Sequence, residues 1–139
     1  MLLPLPLGHS FGMRVLRACI HMGATIVLQN GFTFARDTQR SIDTFGCTAM
    51  AAVPASLGVM ELQMKKQLPE ILGKLRYIEF GAGSLSPQKK RELMESLPNT
   101  EIHNTWGSTE TGGAVFLNLA KNPEKYQSIG KPLESVTVR

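Results

Sequence analysis

Short apolar runs alternate with amphipathic stretches along most of this chain, and that rhythm restricts its fold more than any single residue does. The first run is Leu2 to Leu7, where Pro4 and Pro6 would disturb a central ladder and so point to an edge strand. "ATIVLQ" (24–29), "CTAMAAVPA" (47–55), "RYIEFGAG" (76–83) and "TEIHNTW" (100–106) follow as further candidate strands. Helical patterns lie between them. Ser10 is the expected cap of a helix running to Met22 and closed by Gly23. In "TFARDTQRSIDTFG" (33–46), Phe34, Thr38, Ile42 and Phe45 share one helical face and the charges lie on the other. Leu57, Met60, Met64 and Leu68 recur at helical spacing until Pro69, a stripe that reads as core packing and not as a cofactor box. "SPQKKRELMESLP" (86–98) opens with a capping serine and sets Pro87 at the first helical position.

Strand, helix, strand, helix in repetition predicts an α/β fold: an open, mostly parallel sheet with right-handed crossovers and flavodoxin-like wiring, helices on both faces. In such a sheet ligands bind outside the carboxyl ends of the strands. The residues that follow the proposed strands are Gly8-His9-Ser10, Gln29-Asn30-Gly31, Pro54-Ala55-Ser56, Gly81-Ala82-Gly83-Ser84 and Gly107-Ser108-Thr109-Glu110. Glycine and polar residues thus gather at one edge.

Length and charge exclude several classes. The 139 residues fit a single domain with a core of its own, or one piece of a larger domain. The net charge is +4, but the basic residues are scattered and lack interleaved aromatics, so no nucleic-acid partner is expected. Lys65-Lys66 and Lys89-Lys90-Arg91 read as solvated helix faces. Cys19 and Cys47 sit in apolar surroundings without metal-ligand spacing, which points to buried reduced thiols and a cytoplasmic setting. The opening "MLLPLPLGHS" has neither the basic region nor the cleavage site of a signal peptide, and no apolar stretch approaches the ~20 residues of a membrane span.

The stretch "NTWGSTETGG" (104–113) carries chemistry that no core can use. Gly107 permits close backbone approach, Thr109 offers a hydroxyl donor to a phosphate oxygen, and Glu110 is an oxygen ligand suited to Mg²⁺. Trp106 supplies a planar surface for a base. A Gly-rich surface turn would account for the same spacing equally well. "GAGS" (81–84) lacks the third glycine of a dinucleotide fingerprint and fits a strand-to-helix turn with exposed backbone. His9 stands at the sheet's carboxyl edge, whereas His21 and His103 read as structural. Ser10 beside His9 lacks the G-x-S-x-G elbow of a hydrolase.

These segments together resemble the adenylate-forming superfamily of acyl- and aryl-CoA synthetases, luciferases and adenylation domains. "NTWGSTETGG" is similar to its aromatic-Gly-x-Thr-Glu signature, "LPLPLGHSFGM" to its Pro-Leu-x-His-x-x-Gly segment, and "AAVPASLGVM" to its Val-Pro-x segment. "LRYIEFGAGSLSPQKKRELMESLPNTEIHNTWGSTETGG" resembles the block that links the adenine-side loop to the signature, and "YQSIGKPLESVTVR" the Gly-Lys-Pro run after it.

The resemblance implies ATP or AMP, Mg²⁺ and, as co-substrate, CoA. It assigns adenine stacking to Trp106, the adenine amino group to Asn104, the α-phosphate to Thr109 and the metal to Glu110. Gly81, Ala82, Gly83 and Ser84 would form the other side of the adenine and acyl sites. His9 would lie beside the substrate carboxylate, and Gly107 would border the acyl pocket. The implied catalytic set is therefore Thr109, Glu110 and His9.

The implied reaction joins a carboxylic acid, fatty acids among the expected class, to ATP as an acyl-adenylate. A thiol, CoA or that of a carrier protein, then displaces AMP. A Ser/Thr/Gly-rich phosphate loop ending in Lys-Gly, a downstream ribose-binding Asp and a C-terminal domain with a catalytic lysine have no counterpart among these residues. Residues 1–139 are thus expected to form one partial α/β subdomain, inactive by itself. The rival expectation is a non-catalytic nucleotide-binding or scaffold module. A Rossmann-like methyltransferase fits less well, because Gln29-Asn30-Gly31 stands where an acidic ribose ligand would be needed.

Overall fold

The computed structural model describes residues 1–32 and 34–137. Thr33, at the start of the second predicted helix, and Val138-Arg139, at the end of the Gly-Lys-Pro segment, lie outside the described residues.

The sheet has seven strands: β1 (Leu2–Leu3), β2 (Val27–Leu28), β3 (Ala49–Ala52), β4 (Tyr77–Phe80), β5 (Glu101–Trp106), β6 (Val115–Asn118) and β7 (Lys131–Pro132). Their spatial order is β2-β1-β3-β4-β5-β6-β7. β2, β1, β3, β4 and β5 run parallel, while β6 and β7 are antiparallel additions. The parallel core is in tight register, with Ala52 beside Phe80 and Phe80 beside Asn104.

The hand of the crossovers decides where the helices go. The chain leaves β1 for β2 in one direction and then returns past β1 to β3, β4 and β5 in the other. With right-handed crossovers the first helix must lie on one face and the later ones on the opposite face. This is what is found. Helix α1 (Ser10–His21) packs Phe11, Val15 and Cys19 against Leu3, Leu5 and Ala51. Helices α2 (Ala35–Phe45), α3 (Pro54–Met64), α4 (Leu68–Leu72) and α5 (Pro87–Ser96) contribute to the larger core around Leu2, Met50, Ile78, Phe80 and Ile102. Each fully buried apolar side chain of this kind contributes about 1.5–3 kcal/mol.

Several expectations are corrected. β1 is not an edge strand: it pairs with both β2 and β3, because its ladder ends at Leu3 before Pro4 is reached. α1 is capped by His9, whose Nδ1 accepts the Phe11 N–H at 3.4 Å, and Ser10 is the first helical residue. Phe34 is 62% exposed because it is the extended N-cap residue of α2 and so falls off the helical wheel. Phe45 is 64% exposed in the last turn, just before Gly46 leaves the helix in the left-handed conformation (φ 57°). The methionine-rich helix stops at Met64, and Pro69 lies in the first turn of the separate helix α4, where a missing N–H costs nothing. Lys90 is not on a solvated face. It is 3% exposed and donates from Nζ to the Ser128 carbonyl at 2.6 Å. Ser86 does cap α5, accepting the Lys89 N–H at 3.2 Å.

The central strands should carry the stability. Phe80 is 1% exposed and Leu62 is 89% exposed. Phe80→Ala is expected to lower the unfolding free energy by about 3–5 kcal/mol. Leu62→Ala is expected to change it by less than about 0.5 kcal/mol. Urea unfolding followed by circular dichroism compares the two.

Candidate functional site

The carboxyl ends of β4 and β5 open into a cleft of about 700 Å³, within the range of about 300–1,000 Å³ usual for small-molecule sites. Strand alternation divides it. Asn104 follows Ile102 on the α5 side of the sheet, beside Phe80. Thr105 points to the α1 side. The cleft therefore reaches across the sheet's edge from Asn104, Trp106, Lys90 and Ile129 at one end to Phe11, Arg14, Thr105 and Gly113 at the other.

The residues to which the resemblance assigns a role all line this one cleft: His9, Gly81, Ala82, Gly83, Ser84, Asn104, Trp106, Gly107, Thr109 and Glu110. Trp106 is half exposed, leaving part of its indole open to solvent. Asn104 is buried and donates from Nδ2 to the Ile129 carbonyl at 3.4 Å, which keeps Oδ1 available as an acceptor. Thr109 Oγ1 lies 3.4 Å from Ser10 Oγ, so the signature loop touches the start of α1.

The loop after β5 is held by its own hydroxyls. Ser108 N–H donates to Thr111 Oγ1 at 2.9 Å, and Gly112 N–H donates to the Ser108 carbonyl at 2.9 Å. A Cβ on Gly107 would stand 1.5 Å from the Gly112 oxygen, so the backbone folds over position 107 more closely than any side chain permits. Gly81 is constrained less severely: a Cβ there would meet the Phe11 ring at 2.9 Å. Ala82 adopts φ 54°, a strained non-glycine conformation in the loop that faces Trp106 across the cleft.

Electrostatics suit an anionic ligand with a metal. A hydrogen bond from Ser108, then one from its own backbone, holds the Glu110 carboxyl below the usual glutamate range, so it is ionised at neutral pH. No cluster of three or more His, Cys, Asp or Glu fit for a metal exists among the described residues. One ionised carboxylate is still enough for Mg²⁺, which commonly keeps several waters and takes its other ligands from substrate phosphates. Burial pushes the Lys90 ammonium below the usual lysine range. His9 accepts at Nδ1, so its neutral form carries the proton on Nε2.

Not every expectation reaches the cleft. Of Gln29-Asn30-Gly31 none lines this cleft, and Gly31 lines a second, mostly apolar cavity of about 750 Å³ at the ends of β1 and β3. It shares His9, Phe11, Ala82 and Gly83 with the first. His103 does have partners: Glu101 at 2.8 Å and a stacked Tyr77 ring at 5.0 Å. Arg14, Lys90, Gln127 and Ile129 line the cleft and were not signalled in the sequence. Arg14 and Lys90 come from helix faces, and Gln127 and Ile129 from the start of the Gly-Lys-Pro segment, to none of which the resemblance assigns a role.

An open α/β domain with its cleft at the strands' carboxyl edge defines the broad class, a ligand-binding sheet of doubly wound type. The AMP-binding enzyme family profile matches residues 1–139, and the chain belongs to that family. It is 31% identical over 131 residues to 4-coumarate–CoA ligase-like 5 of Oryza sativa subsp. japonica, covering 94% of this chain and 24% of that one.

Among solved structures it resembles o-succinylbenzoate CoA synthetase of Bacillus subtilis, a double mutant bound to its product analogue OSB-NCoA, with a TM-score of 0.80 and 30% identity. The match covers 96% of this chain and 27% of that one. The same synthetase in complex with ATP and magnesium ion superposes with a TM-score of 0.76 at 29% identity, covering 96% and 27%. The chain thus spans about a quarter of the length of these relatives. No helix among the described residues is long and apolar enough to cross a membrane.

Two outcomes follow from the loop. Gly107→Ala should force the 107–113 turn open and cut the hydrogen-exchange protection of the Gly112 amide by about tenfold or more. Ser108→Ala should raise the Glu110 titration point toward an ordinary glutamate, as followed by carboxyl NMR during an acid titration.

Proposed function

We propose that the protein carrying this chain activates a carboxylic acid as its acyl-adenylate and passes the acyl group to a thiol such as that of CoA. The observation that carries this reading is the meeting, in one cleft, of an exposed indole, a threonine hydroxyl, an ionised carboxylate and a histidine at the end of β1. A nucleotide and an acid need those groups together: a surface for the base, a donor for the α-phosphate, a metal-binding oxygen and a polar contact for the carboxylate.

In this reading Trp106 and the Gly81–Ser84 loop enclose adenine, and the Asn104 side-chain oxygen accepts from the base. An acid oxygen attacks the α-phosphorus while the bond to pyrophosphate breaks, and charge grows on the phosphoryl oxygens. Thr109 donates to one of them. His9 orients the acid through its Nε2–H. Glu110 would hold Mg²⁺, which supplies charge neutralisation at the phosphates when bound. The thiol then displaces AMP from the carbonyl carbon.

These residues form one subdomain of the acting enzyme, consistent with a chain that spans about a quarter of its relatives. The phosphate loop and the catalytic lysine expected of the family have no counterpart in the sequence. The isolated chain is therefore expected to give no acid-dependent pyrophosphate exchange.

In the full-length protein, Glu110→Gln should lower that exchange by about a hundredfold or more, since one electrostatic partner of the transition state is removed. A scaffold that only holds a nucleotide would bind AMP and catalyse no exchange before or after the substitution. That result would overturn the ligase reading.

A further inference from the structure

The α1 end of the cleft carries a charged cluster that adenylate binding leaves unused. Glu79 of β4 accepts from the Arg14 guanidinium of α1 and from Thr105 Oγ1 of β5, the latter at 2.6 Å, and both bonds end on the same carboxylate oxygen. Arg14 and Thr105 line the cavity, whereas Glu79 does not. The carboxylate therefore stands behind the guanidinium and fixes its direction. The side chains are 34% and 14% exposed for Arg14 and Glu79. Gly113 closes against the same cluster, since a Cβ there would lie 2.8 Å from the Thr105 methyl and 3.4 Å from Arg14 Cζ. Phe11 backs the guanidinium from the other side, its ring centroid 5.2 Å from Cζ.

A guanidinium has five N–H donors, and Glu79 is the one acceptor Arg14 has among the described residues. A clamp holding α1 to the sheet would use the same ion pair, but it would not need the guanidinium to border the cavity. Donors left without acceptors when a ligand excludes water carry a desolvation cost. The ligand itself can supply the acceptor. Because Glu79 already neutralises the cation, a neutral oxygen fits better than a second carboxylate.

Direction settles which part of the ligand arrives here. Asn104 and Trp106, at the base end, face the α5 side, whereas Thr109 meets Ser10 and His9 caps α1, the helix that carries Arg14. An acid joined to the α-phosphate and running away from the base points its tail at Arg14.

We infer, resting on the acyl-adenylate reading, that Arg14 is a specificity-determining residue: the site takes acids whose tail ends in a hydroxyl, ether or carbonyl oxygen, in preference to plain alkyl acids. Glu79 and Thr105 are positioning residues that hold the guanidinium toward that oxygen.

The test uses the full-length protein and acid-dependent pyrophosphate exchange. Straight-chain acids of increasing length are compared with their terminal-hydroxyl and terminal-ketone counterparts. At one length the oxygenated acid should exceed its alkyl match by about tenfold or more in kcat/KM. Arg14→Met should bring that ratio to about one or below, and Arg14→Lys, which keeps the charge and loses the planar fork, should give a value between. A wild-type preference for the alkyl acid at every length, or an unchanged ratio in both variants, overturns the inference while leaving the ligase reading intact. Exchange with no acid at all removes both. Should neither variant fold, the wild-type ratio decides alone.

Discussion

Everything at the functional edge follows from the single hand that a parallel crossover can take. Because the chain steps from β1 to β2 in one direction and from β2 to β3 in the other, among the described residues α1 is the helix on one face and α2 to α5 cover the opposite one. The reversal parts the loops that follow the strands. Two such openings are the mostly apolar cavity at the ends of β1 and β3 and the more polar one at the ends of β4 and β5. They meet at His9 and Phe11, where the chain enters the α1 face, and at Ala82 and Gly83.

Backbone shape then does what side chains cannot. The walls of the cleft come within reach of one another because Gly81 lies against the Phe11 ring and Gly107 lies under the Gly112 carbonyl. A methyl group at either place would spread the edge. The polar groups that face the opening are held by hydrogen bonds, one local, Ser108 with Thr111, and two from distant parts of the chain, Asn104 with Ile129 and Lys90 with Ser128. Side chains fixed in this way lose little freedom when a ligand arrives. The late loop around Ser128 and Ile129 thus belongs to the cleft although it is remote in sequence from the signature.

Much of this was legible in the residues, and the limits have physical causes. The parallel order, α5 with its Ser86 cap and Pro87 start, and β5, expected over 100–106 and found over 101–106, followed from period and turn chemistry. The placement of Trp106, Thr109 and Glu110 in one cleft was also readable, because a strand's end fixes where the next few residues lie. What failed were statements about faces and partners. Lys90 reads as a surface lysine until Ser128, far along the chain, is brought beside it. Phe34 reads as core because helical period was extended one residue past the true start of α2. The strands β6 and β7 left little signal, since Gly130 precedes the second of them and Pro132 ends it, and Arg14 carries no motif at all. Its meaning comes from Glu79 and Thr105, which only the folded sheet sets behind and beside it.

The two outer strands of the sheet have a further consequence. β2 offers Val27 and Leu28 alone, and β7 offers Lys131 and Pro132, the latter without an N–H to donate. A foreign peptide approaching either margin would find two residues of ladder and then irregular chain. Among the described residues these margins thus offer little template for stray strand pairing: each is two residues long, and the second carries a positive charge and a proline nitrogen that cannot donate.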